Sequence, residues 1–297
     1  MLTVQDAFKK FRSKLELTDK EQEDASRRQK EIRVVMQEDF DIDHDFLTGS
    51  YRRWTKTKPL KDVDIFCVLG EKERHYREKN PSVLLDAVKK TLAKKYGEGC
   101  VSRQRRSVAV DFGIREDESG ETGEKVLSFD VVPAFAKDDY YEIPDTVTSS
   151  GWTKTDPRVH YDKAVEKNKA YDGQWKGLVR MMKSWNREED KPIRPSFLIE
   201  VMAHEALYPP WGGTYSREMQ ALFHTLADRV REDWPDPAGL GPDVSDSMNA
   251  TERESARQTL LGAERQAANA IRLEREGRNG ESLRAWRSLF GKLFPLS

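Results

Sequence analysis

Cysteine is nearly absent from this 297-residue chain: Cys67 and Cys100 are the only two. Cys67 falls inside an apolar run that reads as a strand, so neither a disulfide framework nor a cysteine-rich zinc site is available. Histidine does not substitute, because its five residues are scattered along the sequence. Long hydrophobic runs are also missing. No stretch approaches the roughly 20 apolar residues that span a bilayer, and Met1-Leu2-Thr3-Val4-Gln5-Asp6 lacks the basic-then-apolar pattern of a secretory signal. A cytoplasmic chain with no membrane partner is expected. An excess of one charge is lacking too: the formal net charge of −1 argues against a chain-wide attraction to nucleic acid, although it leaves room for a local basic patch. Charged residues of both signs make up 35% of the sequence and hydrophobic residues 37%, which describes a soluble folded chain with a heavily charged surface. The length allows one substantial core, or two modest cores packed across a cleft.

Against that background, Leu47-Thr48-Gly49-Ser50 and Asp62-Val63-Asp64 stand out. A Gly-Ser turn can hold phosphate oxygens. Two carboxylates one residue apart on a strand point to the same side, where they could share divalent metal. The pair opens Ile65-Phe66-Cys67-Val68-Leu69, a run that should be largely buried, and buried carboxylates require compensating positive charge. A metal ion would supply it; the alternative is a solvated Asp-x-Asp, or one salt-bridged to Lys58 or Lys61. A third acid favours metal. Val126-Leu127-Ser128-Phe129-Asp130-Val131-Val132 is another strand-like run, with Asp130 its only charge and Pro133 closing it. Two ions held by Asp62, Asp64 and Asp130 would activate a hydroxyl and steady a leaving pyrophosphate.

This pattern resembles the DNA polymerase β-like nucleotidyltransferase superfamily, whose signature is Gly-Ser, Asp-x-Asp and a third Asp on a neighbouring strand. Within it the chain is similar to the bacterial CD-NTases, relatives of animal cGAS and the oligoadenylate synthetases that make cyclic oligonucleotide signals in anti-phage defence. The stretches that carry the likeness are Gly49-Ser50-Tyr51, Lys58 through Ile65, and Phe129-Asp130-Val131-Val132-Pro133-Ala134. Later ones are Leu178 through Asn186, Pro195-Ser196-Phe197-Leu198-Ile199-Glu200 and Trp286-Arg287-Ser288-Leu289-Phe290-Gly291. The resemblance implies an α+β fold: a nucleotidyltransferase lobe with a mixed or antiparallel sheet, an α-helical C-terminal lobe, and the active site in the cleft between them. It also implies Mg²⁺, replaceable by Mn²⁺, and NTP substrates with ATP among them. It places Lys183 at the donor triphosphate with Ser196 beside it, Phe197 where a ring stacks on a base, and Asp236 at a base edge. The zinc-bearing insertion with which cGAS grips DNA has no counterpart here, so direct activation by nucleic acid is not expected.

The first lobe is expected over residues 1–156 and the second over 157–297. Val4, Phe8, Phe11 and Leu15 recur at helical spacing, and Thr18-Asp19-Lys20-Glu21 reads as a capping box opening a longer second helix, to about Glu38, that would lie along both lobes as a spine. Val108, Val110, Phe112 and Ile114 alternate with Ala109, Asp111 and Gly113, and residues 116–124 would turn this strand back into the Asp130 strand as an antiparallel hairpin. Asp111 rivals Asp130 as third ligand, but Asp130 alone has the Asp-Val-Val-Pro context of the family. From Asp156-Pro157 onward helical periodicity dominates. Trp175, Leu178, Val179, Met182 and Trp185 form an apolar stripe. Lys176, Arg180 and Lys183 lie on another side, a charge run that reads as a solvated face unless it borders the cleft. Ser196 follows a Pro-rich break and is either a phosphate-binding helix start or an ordinary N-cap. Phe197 fits the core equally well. Asp236 lies in a Pro- and Gly-rich connector.

The reading is a metal-dependent nucleotidyltransferase that makes a cyclic di- or trinucleotide with pyrophosphate release. Asp62, Asp64 and Asp130 are its catalytic metal ligands, and Gly49 and Ser50 hold the donor phosphates. The alternatives are a linear synthase or a transferase acting on RNA or protein with the same site, and an inactive nucleotide- or partner-binding module. A regulatory protein partner is one route by which such an enzyme could be triggered.

Overall fold

Helix α1 (Val4–Leu15) starts where the Thr3 hydroxyl accepts the Asp6 N–H at 3.1 Å. The predicted capping box forms at the start of α2 (Asp19–Met36): the Glu21 N–H donates to Thr18 Oγ1 at 3.2 Å, and the Thr18 N–H donates to Glu21 Oε2 at 2.7 Å. Together such caps satisfy donors that the helix itself cannot. The computed structural model describes residues 2–114 and 125–297, so the expected turn at 116–124 lies outside the described residues. Two compact units emerge, one Leu17–Tyr161 and the other Met1–Glu16 with Asp162–Ser297. The expected 1–156 lobe is therefore corrected at its start. Phe8 packs edge-on against Trp286 with ring centroids 4.9 Å apart and Phe11 lies tilted against Phe290 at 5.0 Å, so α1 belongs to the helical core, whereas α2 buries Ala25, Ile32, Val35 and Met36 in the sheet unit.

The sheet unit carries strands β1 (Ile42–Leu47), β2 (Val63–Leu69), β3 (Val101–Arg103), β4 (Val108–Asp111), β5 (Ser128–Lys137), β6 (Tyr140–Pro144) and β7 (Trp152–Thr155). A short helix α3 (Gly49–Arg52) follows β1, and α4 (Pro81–Tyr96) follows β2. The strand order is β1-β2-β5-β4-β3, with β6 on β5 and β7 on β6. Among the described residues only β2 and β5 run parallel; the other pairs are antiparallel, including the expected pairing of β4 with β5. Strand alternation sorts the side chains. Val63, Ile65, Cys67, Phe129 and Val131 face the core shared with α2 and α4, and Phe66, Val68, Val132 and Ala134 face a smaller cluster with Tyr141 and Ile143. Burying each large apolar side chain contributes about 1.5–3 kcal/mol, so a one-residue slip of either strand is strongly resisted.

The helical unit contains α5 (Pro157–Ala170), α6 (Trp175–Glu188), α7 (Ser196–Ala206), α8 (Tyr215–Arg229), α9 (Ala250–Arg275) and α10 (Asn279–Phe290). The apolar stripe of α6 is buried as expected. Its cationic side is not a solvated face: Arg180 is 6% exposed and Lys183 8%. Each has a carboxylate to meet it, Glu16 for Arg180 at 2.5 Å and Glu200 for Lys183 at 2.6 Å.

Candidate active site

Asp64 and Asp130 are register partners on the two parallel strands. By alternation both point to the face carrying Phe66 and Val132, away from the helix-covered core. Asp111 pairs with Ser128 at the far end of β4, where it is exposed and its carboxylate accepts the Gly113 N–H at 2.7 Å. The acid facing Asp64 across the strand pair is thus Asp130.

The turn after β1 is built against Asp64. The Thr48 N–H donates to the Asp64 carbonyl at 2.9 Å, and Gly49 adopts φ +61°. A Cβ at Gly49 would stand 1.7 Å from Asp64 Oδ2, so only glycine fits there. Beyond the turn, the Ser50 carbonyl accepts the N–H groups of Thr55 at 3.0 Å and Lys56 at 3.1 Å. The folded loop brings Lys56 Nζ to 3.1 Å from the Asp62 carbonyl oxygen. Sequence alone offered Lys58 or Lys61 as the cation near the acids. Lys58 instead pairs with buried Glu21 at 3.2 Å. Asp62 is exposed at φ +52°, and Ser128 fixes it twice: Ser128 Oγ accepts the Asp62 N–H at 2.8 Å and donates to Asp62 Oδ1 at 2.9 Å. Ser128 lies two residues before Asp130, hence on the same strand face, and that spacing was the available sequence signal. Nothing in the sequence separated Lys56 from its lysine neighbours.

The acids are electrostatically linked. Burial pushes the Asp130 carboxyl up to about 7, and the negative charges of Asp64 and Asp62 add to the rise, against Lys56 and the Gln104 amide. Burial likewise raises Asp64, opposed by Lys56 and Arg53. Asp130 Oδ1 is buried and has no hydrogen-bond partner among the described residues. Clustered acids with an unused buried oxygen suit a hard divalent cation, which prefers oxygen ligands. As they stand, no three acidic, histidine or cysteine side chains among the described residues converge to hold one. Asp64 and Asp130 form the close pair, and Asp62 is engaged with Ser128.

Residues 2–168 match the family model described as Second Messenger Oligonucleotide or Dinucleotide Synthetase domain. The chain belongs to this family. It is 30% identical over 275 residues to a cyclic AMP-AMP-AMP synthase of Acinetobacter, covering 86% of this chain and 73% of that one. It is 29% identical over 282 residues to a probable cyclic nucleotide synthase of Bacillus cereus, covering 83% and 81%. Among solved structures, E. coli MS115-1 CdnC in complex with HORMA-deltaN aligns with a TM-score of 0.73 at 19% identity, covering 98% of each chain, and CdnC with ATP at 0.72 and 20%, covering 99% of each. At that identity the two structures support the fold alone. The protein is therefore a bacterial CD-NTase, a nucleotidyltransferase of the cyclic oligonucleotide synthases.

The other residues expected to bind nucleotide lie in this synthetase's helical unit. Lys183, on α6, is ion-paired with Glu200 of α7, and both are buried. Ser196 is exposed at the first residue of α7. Pro195 occupies the cap position and no side-chain cap bond forms, so Ser196 is not an ordinary N-cap. Phe197 is half-buried against the helical core. Asp236 Oδ2 accepts the N–H groups of Leu240 at 3.3 Å and Gly241 at 3.4 Å, which closes its own loop. Gln104 was missed by sequence reasoning; it lies against Asp130 and its Oε1 accepts the Ser107 hydroxyl at 2.8 Å.

Proposed function

We propose that this enzyme joins NTPs into a cyclic di- or trinucleotide at the site formed by Asp62, Asp64 and Asp130, with Mg²⁺ or Mn²⁺. The observation that carries this reading is the register of Asp64 with Asp130, with Gly49 packed against Asp64. The three carboxylates are the residues that would hold the metal, with Asp62 leaving Ser128 to join them. When bound, the metal supplies charge stabilisation to the attacking and leaving oxygens. Gly49 and Ser50 hold the β- and γ-phosphates of the donor. Asp130 orients the ribose hydroxyl of the acceptor. Its oxygen bonds to the α-phosphorus, the bond to the β-phosphate oxygen breaks, pyrophosphate departs, and the hydroxyl proton passes to solvent. A last transfer within the linear product closes the ring.

ATP is the first substrate to test, because the Acinetobacter relative is named for joining AMP units. Lys183 and Ser196 would contact the donor triphosphate, Phe197 a base and, with least structural support, Asp236 a base edge. No helix among the described residues is long and apolar enough to cross a membrane. Cytoplasmic work in CBASS-type anti-phage defence is part of the proposal. A regulatory protein partner is part of the proposal, by analogy with the HORMA complex of CdnC.

Incubation of the purified protein with four labelled NTPs and Mg²⁺, followed by phosphatase treatment and mass spectrometry, tests the reading. A phosphatase-resistant cyclic product is expected, and its loss in Asp62→Asn/Asp64→Asn with the fold intact. A linear product that keeps a removable 5′-triphosphate would replace the cyclic assignment, and a double variant with wild-type turnover would end the site assignment.

A further inference from the structure

Strand β5 changes partners along one edge. β4 pairs with it as far as Val108↔Val131, and β6 takes over from Phe135↔Glu142. The turns at that handover, residues 104–107 and 145–151, meet over Asp145, whose side chain is 0% exposed. Arg105 donates from Nε to Asp145 Oδ1 at 2.7 Å and from Nη2 to Oδ2 at 2.8 Å; Arg106 donates from Nε to Oδ2 at 2.8 Å and places Nη2 2.7 Å from the same oxygen.

One guanidinium would neutralise Asp145. Two leave a net positive charge and set like charges side by side, which a simple staple between turns does not need. The arginine side chains are 44% and 35% exposed, and Nη1 of each has no hydrogen-bond partner among the described residues. A buried carboxylate thus orients two part-exposed guanidiniums, an arrangement suited to phosphate oxygens.

Position narrows the ligand. Gln104, the neighbour of Arg105, lies against Asp130, and the handover falls two to four residues along β5 from Asp130, on the order of 7–14 Å. The Gly49 turn lies on the opposite flank, between β1 and β2. With the donor phosphates at that turn, we propose that Arg105 and Arg106, preorganised by Asp145, bind the 5′-triphosphate of the acceptor nucleotide or linear intermediate. The inference rests on the synthase reading above.

Calorimetric titration of the full chain with a linear 5′-triphosphorylated adenylyl dinucleotide, without divalent metal so that nothing turns over, tests it. Arg106→Gln leaves Arg105 paired with Asp145 and is expected to weaken binding about tenfold, the loss of one charge-assisted bond. Binding of the dinucleotide lacking 5′-phosphates should change less than about twofold. Unchanged affinity for the triphosphorylated dinucleotide overturns the proposal. So does an equal loss for both dinucleotides, or a loss confined to inorganic tripolyphosphate, which marks a general anion site. If Arg106→Gln unfolds, the Arg105→Gln/Arg106→Gln/Asp145→Asn variant, which leaves no unpaired buried charge, decides: folded with weakened binding supports the subsite, and wild-type affinity refutes it. Wild-type pyrophosphate release is measured in parallel. Its absence sinks the synthase reading, whereas release with unchanged variant affinity sinks only the subsite.

Discussion

Gly49→Ala should silence the enzyme while leaving it folded. The added Cβ would sit 1.7 Å from Asp64 Oδ2 and 2.7 Å from its Cγ, whereas real Cβ contacts essentially never fall under 3.0 Å. The carboxylate oxygen must retreat by roughly 1.3 Å, or the turn must move away. Misplacement of about 1 Å at a reacting centre costs on the order of 10²-fold in rate, so turnover should fall by about that factor. The global cost is smaller. Holding alanine at φ +61° costs roughly 1–2 kcal/mol, a drop of about 2–8 °C in Tm for a unit of this size. Pyrophosphate release gives the rate, and circular dichroism with thermal melting gives the fold. Turnover within threefold of wild type would show that the Gly49–Asp64 contact has no part in the chemistry. A rate loss that only tracks unfolding would show the turn to be structural.

Asp145 gives a pH-dependent prediction. Burial would raise its carboxyl, but hydrogen bonds from Arg105, the Val147 N–H and Arg106 outweigh it and hold the group at about 2, below its ordinary 3.8. Its stabilisation is fully present above pH 3.8 and fades as pH falls toward 2, so urea titration of Asp145→Asn should show a loss of about 2 kcal/mol at pH 7 that shrinks only below pH 4. Mn²⁺ at 100 times its Kd should stabilise the wild type by about 2.7 kcal/mol, read as a rise in Tm that Asp64→Asn/Asp130→Asn abolishes; an equal rise in the variant would place the ion elsewhere. Lys183→Ala removes the cation beside buried Glu200 and should cost about 3–5 kcal/mol in chemical denaturation, with Lys183→Ala/Glu200→Gln recovering part of it. No recovery would mean that the pairing is not the cause.

The local rules carried much of the fold. The apolar run around Asp130 and the period-two run at Val108 and Val110 both form strands, and the Thr18 capping box fixed the start of α2. Asp64 and Asp130 meet through a parallel pairing between strands far apart in sequence, and period-two patterning identifies a face without naming the neighbour. The likeness to a family supplied that pairing. The failures share a cause: each depended on tertiary neighbours. Arg180 and Lys183 look like solvent-facing cations until Glu16, just past the end of α1, and Glu200 of α7 meet them. Lys56, Lys58 and Lys61 are alike as residues, and only the loop's closure on the Ser50 carbonyl sends Lys56 toward the acids.

Because Phe8 and Phe11 lie against Trp286, Phe290 and Phe294, the helical core is sewn together by the earliest and latest parts of the sequence, with the entire sheet unit intervening. During synthesis the intervening unit has all its strands while the surrounding one still lacks its final aromatic residues. A fluorophore on α1 should therefore reach its native signal after one on β5. Ribosome-stalled chains ending before Trp286 should leave α1 open to protease although the Asp64–Asp130 pairing has already formed.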